Sequence, residues 1–169
     1  VAIDTFSVGD LYGASLSVRG KIDDLTGTPR ADMAIQVAAQ NPAAVLQKFA
    51  PDIPKNDLLN HPLRLNASYQ GTIGAGRVDS AVDINNVKLG LSGPVKGALT
   101  KQPQLSDMQV SVKAQKAQYI ADLMGVKNQS PVLAEPADLS AGIGMNGGQY
   151  KASNIRGTLG KTQVSGEMD

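Results

Sequence analysis

The chain contains no cysteine and no tryptophan, and among its 169 residues only Phe6, Phe49 and four tyrosines are aromatic. Without cysteine there are no disulfides, thiolate nucleophiles or thiolate metal sites. The compartment stays open on this count, because a cysteine-free chain tolerates an oxidising periplasm as well as a reducing cytosol. With so few aromatics, the 41% hydrophobic content is spread over small and branched side chains, which suits thin β-layers better than a bulky core. A net charge of +1 leaves no electrostatic surplus to hold a polyanion, so nucleic acid is excluded as an expected partner. No run approaches the roughly 20 apolar residues that span a bilayer, and Val1 follows no basic and apolar leader. A chain opening Val-Ala-Ile-Asp is read as an internal fragment, cut mid-repeat at both ends, with any membrane anchor outside it.

Chemistry-bearing clusters are equally scarce. His61, the single histidine, lies between Asn60 and Pro62 with no serine–carboxylate arrangement around it, and reads as a loop residue. Asp23-Asp24 reads as a turn, and Asp79 with Asp83 as the wet side of a strand, in preference to cation ligands. Gly71-Thr72-Ile73-Gly74-Ala75-Gly76 contains Gly-x-Gly but lacks the lysine and the strand-to-helix context of a phosphate cradle, so a hairpin loop is expected. We therefore expect no catalytic residue, metal or cofactor, and no enzyme.

What is present is a repeat. Asp32-Met33-Ala34-Ile35-Gln36-Val37-Ala38-Ala39-Gln40 returns about 75 residues later as Asp107-Met108-Gln109-Val110-Ser111-Val112-Lys113-Ala114-Gln115. Pro62 to Ala67 is answered by Pro136 to Ala141, and Leu91 to Val95 by Val164 to Met168, with an earlier copy at Leu16 to Gly20. Approximate units are 15–88 and 89–163. Strict alternation inside them argues for strands with one apolar face. Leu63, Leu65, Ala67 and Tyr69 oppose Arg64, Asn66, Ser68 and Gln70; Val78, Val82 and Ile84 follow, then Leu89, Leu91 and Val95 after an Asn85-Asn86 turn. The second unit supplies Leu139, Ala141, Ile143 and Met145, then Tyr150, Ile155, Leu159 and Val164. Asn41-Pro42 opens one short helix bearing Val45, Leu46 and Phe49, stopped by Pro51 and Pro54; a second runs from about Ala117 to Met124 and ends at Gly125. The expected fold is mainly β with short helices: a curved antiparallel sheet of about two repeats, each strand, strand, helix, then three strands, groove-like in shape.

Asn41-Pro42-Ala43-Ala44-Val45-Leu46-Gln47-Lys48-Phe49 with Pro54, the alternating run Leu63 to Gly71, and Val87-Lys88-Leu89-Gly90-Leu91-Ser92-Gly93 together resemble the AsmA-like family of Gram-negative envelopes, within the bridge-like lipid-transfer proteins built from repeating β-groove units. In the second unit Gly147-Gly148 replaces a strand-forming stretch, which leaves that hairpin's register open. The resemblance implies a non-enzymatic periplasmic segment of an inner-membrane-anchored protein, involved in outer-membrane biogenesis and homeostasis. Phospholipid acyl chains would lie in an apolar trough and move between the membranes. Neighbouring repeats of the parent chain are further expected partners, and the excised piece could pair with itself through its edge strands. The residues expected to face lipid are Leu63, Leu65, Val82, Ile84, Leu89, Leu91, Val110, Val112, Leu139 and Ile143. A helix of about nine residues is too short to roof a five-strand sheet, so some apolar face is left over. It could meet lipid, the next repeat or a second sheet. The alternative function is a structural or interaction β-repeat, an envelope assembly scaffold or adhesin-like module with a closed dry core.

Overall fold

The computed structural model describes residues 1–49, 57–72, 74–97, 104–105, 107–123, 126, 130–146 and 149–168. Pro51, Pro54, Ile73, Met124, Gly125, Gly147 and Gly148 lie outside them, as do the side chains of Phe49, Met145 and Tyr150. The strands are β1 (Ala2–Leu11), β2 (Ala14–Asp23), β3 (Arg30–Ala39), β4 (Leu63–Thr72), β5 (Ala75–Ile84), β6 (Val87–Lys96), β7 (Gln104–Leu105), β8 (Met108–Ala114), β9 (Ala137–Asn146), β10 (Gln149–Leu159) and β11 (Thr162–Met168). They form one antiparallel sheet in sequence order, with only the two-residue β7 off the main path, paired to β6. The sheet is open and curved, and β1 and β11 are its edges.

Helix α1 (Pro42–Phe49) joins β3 to β4 and helix α2 (Ala117–Leu123) joins β8 to β9; each is followed by a short 3-10 turn, at Asp57–Asn60 and Pro131–Ala134. The repeated order is thus β2-β3-α1-β4-β5-β6 and then β6-β8-α2-β9-β10-β11, with β6 closing one unit and opening the next. Local chemistry accounts for the punctuation. Asn41 Oδ1 accepts the Ala44 N–H at 3.1 Å, which caps α1 as the Asn-Pro pair predicts. Asn85 and Asn86, at φ 44° and 65°, make the tight left-handed turn between β5 and β6, and Tyr12-Gly13 does the same between β1 and β2.

The register sorts the side chains. Residues paired directly across antiparallel strands point to the same face, so the ladder can be followed as cross-strand rows. One row runs Ala14, Ala39, Leu63, Ile84, Val87, Ala114, Ala137. It lies at the strand ends from which both helices depart, and all but Leu63 are buried, Val87 completely and Ile84 to 4% exposure. Its alanines let the helix layer approach closely, and Ala117, the first residue of α2, is buried with them. Each large apolar side chain sealed here contributes about 1.5–3 kcal/mol.

At the opposite end of the strands a smaller packed cluster holds Val95 and Met108. Gly93, at φ 154°, makes it fit: a Cβ there would lie 2.7 Å from Met108 Sδ. The earlier unit repeats the device, with Gly20 at φ 155° against Met33. Between β9 and β10 the ladder starts with Gln149 opposite Asn146 and is regular until a bulge between Ser153 and Arg156.

Candidate apolar binding face

Between the sealed row and the Gly93–Met108 end lie the central rows of the apolar face. One is Leu16, Val37, Leu65, Val82, Leu89, Val112, Leu139. The next is Val18, Ile35, Ala67, Ser80, Leu91, Val110, Ala141. These side chains are half-buried by one another, and Ile35 is exposed at 36%. Of the residues singled out by sequence, Leu65, Val82, Leu89, Leu91, Val110, Val112 and Leu139 fall in these two rows, and Ile143 in the row beyond, opposite Met108. Leu63 and Ile84 stand instead in the strand-end row. Leu63 is half-buried there, whereas Ile84 is sealed by the packing where the helices leave the sheet and has no surface to offer a ligand.

The face is recessed beside α2. Ala117, Ile120 and Ala121 of the helix, Leu133 of the 3-10 turn and Val126 line, with Ala137, Leu139, Leu159 and Val164, an open recess of about 320 Å³. Every lining side chain is aliphatic. Such a wall offers no directional bond, so it selects for hydrocarbon and against anything that must keep its hydration. Leu139 was legible here from its alternation, but Leu133 and Val126 were not. The Ser130-Pro131 start of the 3-10 turn was the one available signal that a chain segment folds back at this point.

The reverse face carries Arg64, Asn66, Asp79, Asp83, Lys88, Lys113 and Asp138, with ion pairs Arg77–Asp79 at 3.1 Å and Lys113–Asp138 at 2.8 Å. It is hollowed at its centre by an open depression of about 520 Å³. Small side chains in adjacent strands, Ser68, Ala81, Gly90, Ser92 and Ser111, leave this space, and Arg19 and Asp79 stand at its margin. An apolar trough was expected; an open hollow on the opposite face was not. It follows from short residues at consecutive cross-strand positions, which alternation alone does not reveal.

His61 is exposed just before β4, as a loop residue. Asp24 accepts the N–H groups of Gly27 and Thr28 at 3.0 Å each and closes a turn, and Asp23 pairs with Lys21 at 3.2 Å. Among the described residues no group of three or more His, Asp or Glu could hold a metal. Among the described residues no helix is long and apolar enough to cross a membrane. No family model, curated protein or solved structure matches the chain.

Proposed function

We propose that this chain is a lipid-sheltering segment of an AsmA-like envelope protein, held in the periplasm by an anchor elsewhere in the parent chain. On this reading its apolar sheet face carries phospholipid acyl chains between the inner and outer membranes. The observation that supports it is the pair of central rows from β2 to β9: side chains that are aliphatic but for Ser80, in register across the sheet and none of them fully buried. The aliphatic recess beside α2 is continuous with them through Leu139. A phospholipid crossing an aqueous gap must keep its tails from water, at about 0.8 kcal/mol for each exposed methylene. A face of this kind lowers that barrier by non-directional contact and needs no reactive group.

A dry scaffold core would require the central rows to be covered, and the exposure of Ile35 argues against this. The two readings separate by photo-crosslinking in cells. A photoreactive residue at Leu65 or Leu91 should yield lipid adducts, and one at Arg64 or Ser92 on the reverse face should not. Equal labelling of both faces, or no adduct at the apolar positions of the full-length protein, overturns the proposal.

A further inference from the structure

We propose that Met33 is an oxidant-sensitive modification site on the apolar face, converted to its sulfoxide by hydrogen peroxide or a hypohalous acid, and that the sulfoxide withdraws this part of the face from hydrocarbon. The site of modification follows from packing alone; its consequence for binding rests on the lipid-sheltering reading.

The pair Asp-Met recurs at Asp32-Met33 and Asp107-Met108, and each sulfur is seated over a glycine of the neighbouring strand. A Cβ at Gly20 would lie 2.8 Å from Met33 Sδ, and one at Gly93 2.7 Å from Met108 Sδ. The two seats differ in cover. Met108 is closed to solvent at 1% exposure, where β7 pairs with β6 at Val95 and Lys96 and also touches β9, on which Ile143 stands opposite Met108. The first unit has no such strand: residues 24–29 link β2 directly to β3, and Met33 stays half-buried. Met33 also borders the open part of the sheet. It pairs across with Tyr69, and the next row along its own strand is that of the exposed Ile35.

The chain has five methionines and no cysteine, so its oxidisable sulfur is all thioether. The sulfur lone pair attacks one oxygen of hydrogen peroxide. A sulfur–oxygen bond forms, the oxygen–oxygen bond breaks, sulfur gives up two electrons, and the second oxygen leaves as water with both protons. The product is a polar group that holds water to itself. Beside Tyr69 and Ile35 it keeps water where an acyl chain would otherwise displace it. A thiol-dependent sulfoxide reductase reverses the step, removing the oxygen as water while two thiols become a disulfide; the chain has no thiol with which to do this alone.

The test treats the full chain with dilute hydrogen peroxide and follows each methionine by peptide mass spectrometry, with binding of an apolar fluorescent probe and circular dichroism read in parallel. In the folded chain Met33 should oxidise at least about five-fold faster than Met108, and the difference should vanish in urea, where neither is packed. Probe binding should fall in step with the Met33 sulfoxide while the sheet signal is unchanged, and methionine sulfoxide reductase with dithiothreitol should restore it. Met33→Leu should keep through the treatment whatever binding it starts with. Equal oxidation rates at Met33 and Met108 in the folded chain overturn the proposal. So does an equal fractional loss of binding in Met33→Leu, or a loss that only accompanies loss of the sheet signal. A chain that binds no probe before treatment overturns the lipid reading and the consequence for binding with it, and the modification site then stands or falls on the two rates.

Discussion

The strand-end row and the central rows of the apolar face use the same residue types and lie side by side, yet one is sealed and the other is not. Val87 and Leu89 are two residues apart on β6 and point the same way; Val87 is wholly buried and Leu89 half-buried. The difference comes from what surrounds them. Alanines at positions 39, 114 and 137 allow close packing over the first row, and helices of eight and seven residues do not reach across the rest. Stability is concentrated in a narrow band of the sheet, and most of the apolar face is left available for contacts other than the chain's own core. The band that holds the strands together is thus distinct from the rows that stay accessible.

The sharpest way to break this contrast is a charge in each row. Val87→Asp would bury a carboxylate with no partner, at a cost of about 4 kcal/mol or more, and should abolish cooperative unfolding in a urea titration followed by circular dichroism. Leu89→Asp can turn its carboxylate towards water and should cost about 1–2 kcal/mol while the transition survives. Equal losses at both positions would mean that the central rows are core. The milder pair sharpens the same point: Val87→Ala should lower stability by about 2 kcal/mol, and Leu65→Ser by about 1 kcal/mol. Leu65→Ser, but not Val87→Ala in the fraction that stays folded, should reduce binding of an apolar fluorescent probe.

A second contrast concerns glycines. Gly93→Ala places a Cβ against Met108 at a backbone angle that L-residues rarely adopt, and should cost about 1–3 kcal/mol. Gly144→Ala meets nothing within 4 Å and should change stability by less than about 1 kcal/mol, in the stabilising direction if the alanine restricts the unfolded chain. Thermal melts of the two variants give the comparison directly.

Much of this was readable from the chain, for identifiable reasons. Period-two alternation places Leu63, Leu65, Ala67 and Tyr69 on one face because a strand admits no other sorting, and the return of Asp-Met-x-x-x-Val after about 75 residues gives the repeat. Alternation says which face a residue takes but not how far along the strand the cover extends. For that reason Ile84 and Leu89 looked alike in sequence and differ in the fold. Met108 reads as one more apolar residue at the start of a strand, and its burial depends on Gly93 in the neighbouring strand. The bulges in β1 and β10 depend on cross-strand register, which has no local signature.

The smallest expected effect lies on the wet face. Lys113 Nζ meets Asp138 Oδ2 at 2.8 Å across the β8–β9 pair, with both side chains more than half exposed. Screening by water and salt limits such a pair to about 0.2–1 kcal/mol. Lys113→Ala should therefore lower stability by no more than this. The loss should shrink further as salt is raised, because ions already weaken the attraction in the parent chain. The same position bears on the comparison of faces, since Lys113 stands on β8 between Val112 of the central row and Ala114 of the sealed one. If Lys113→Ala also left apolar-probe binding unchanged while Leu65→Ser abolished it, the binding capacity would belong to the aliphatic face. A loss of probe binding on removing this surface charge would instead place the ligand on the hollowed polar side.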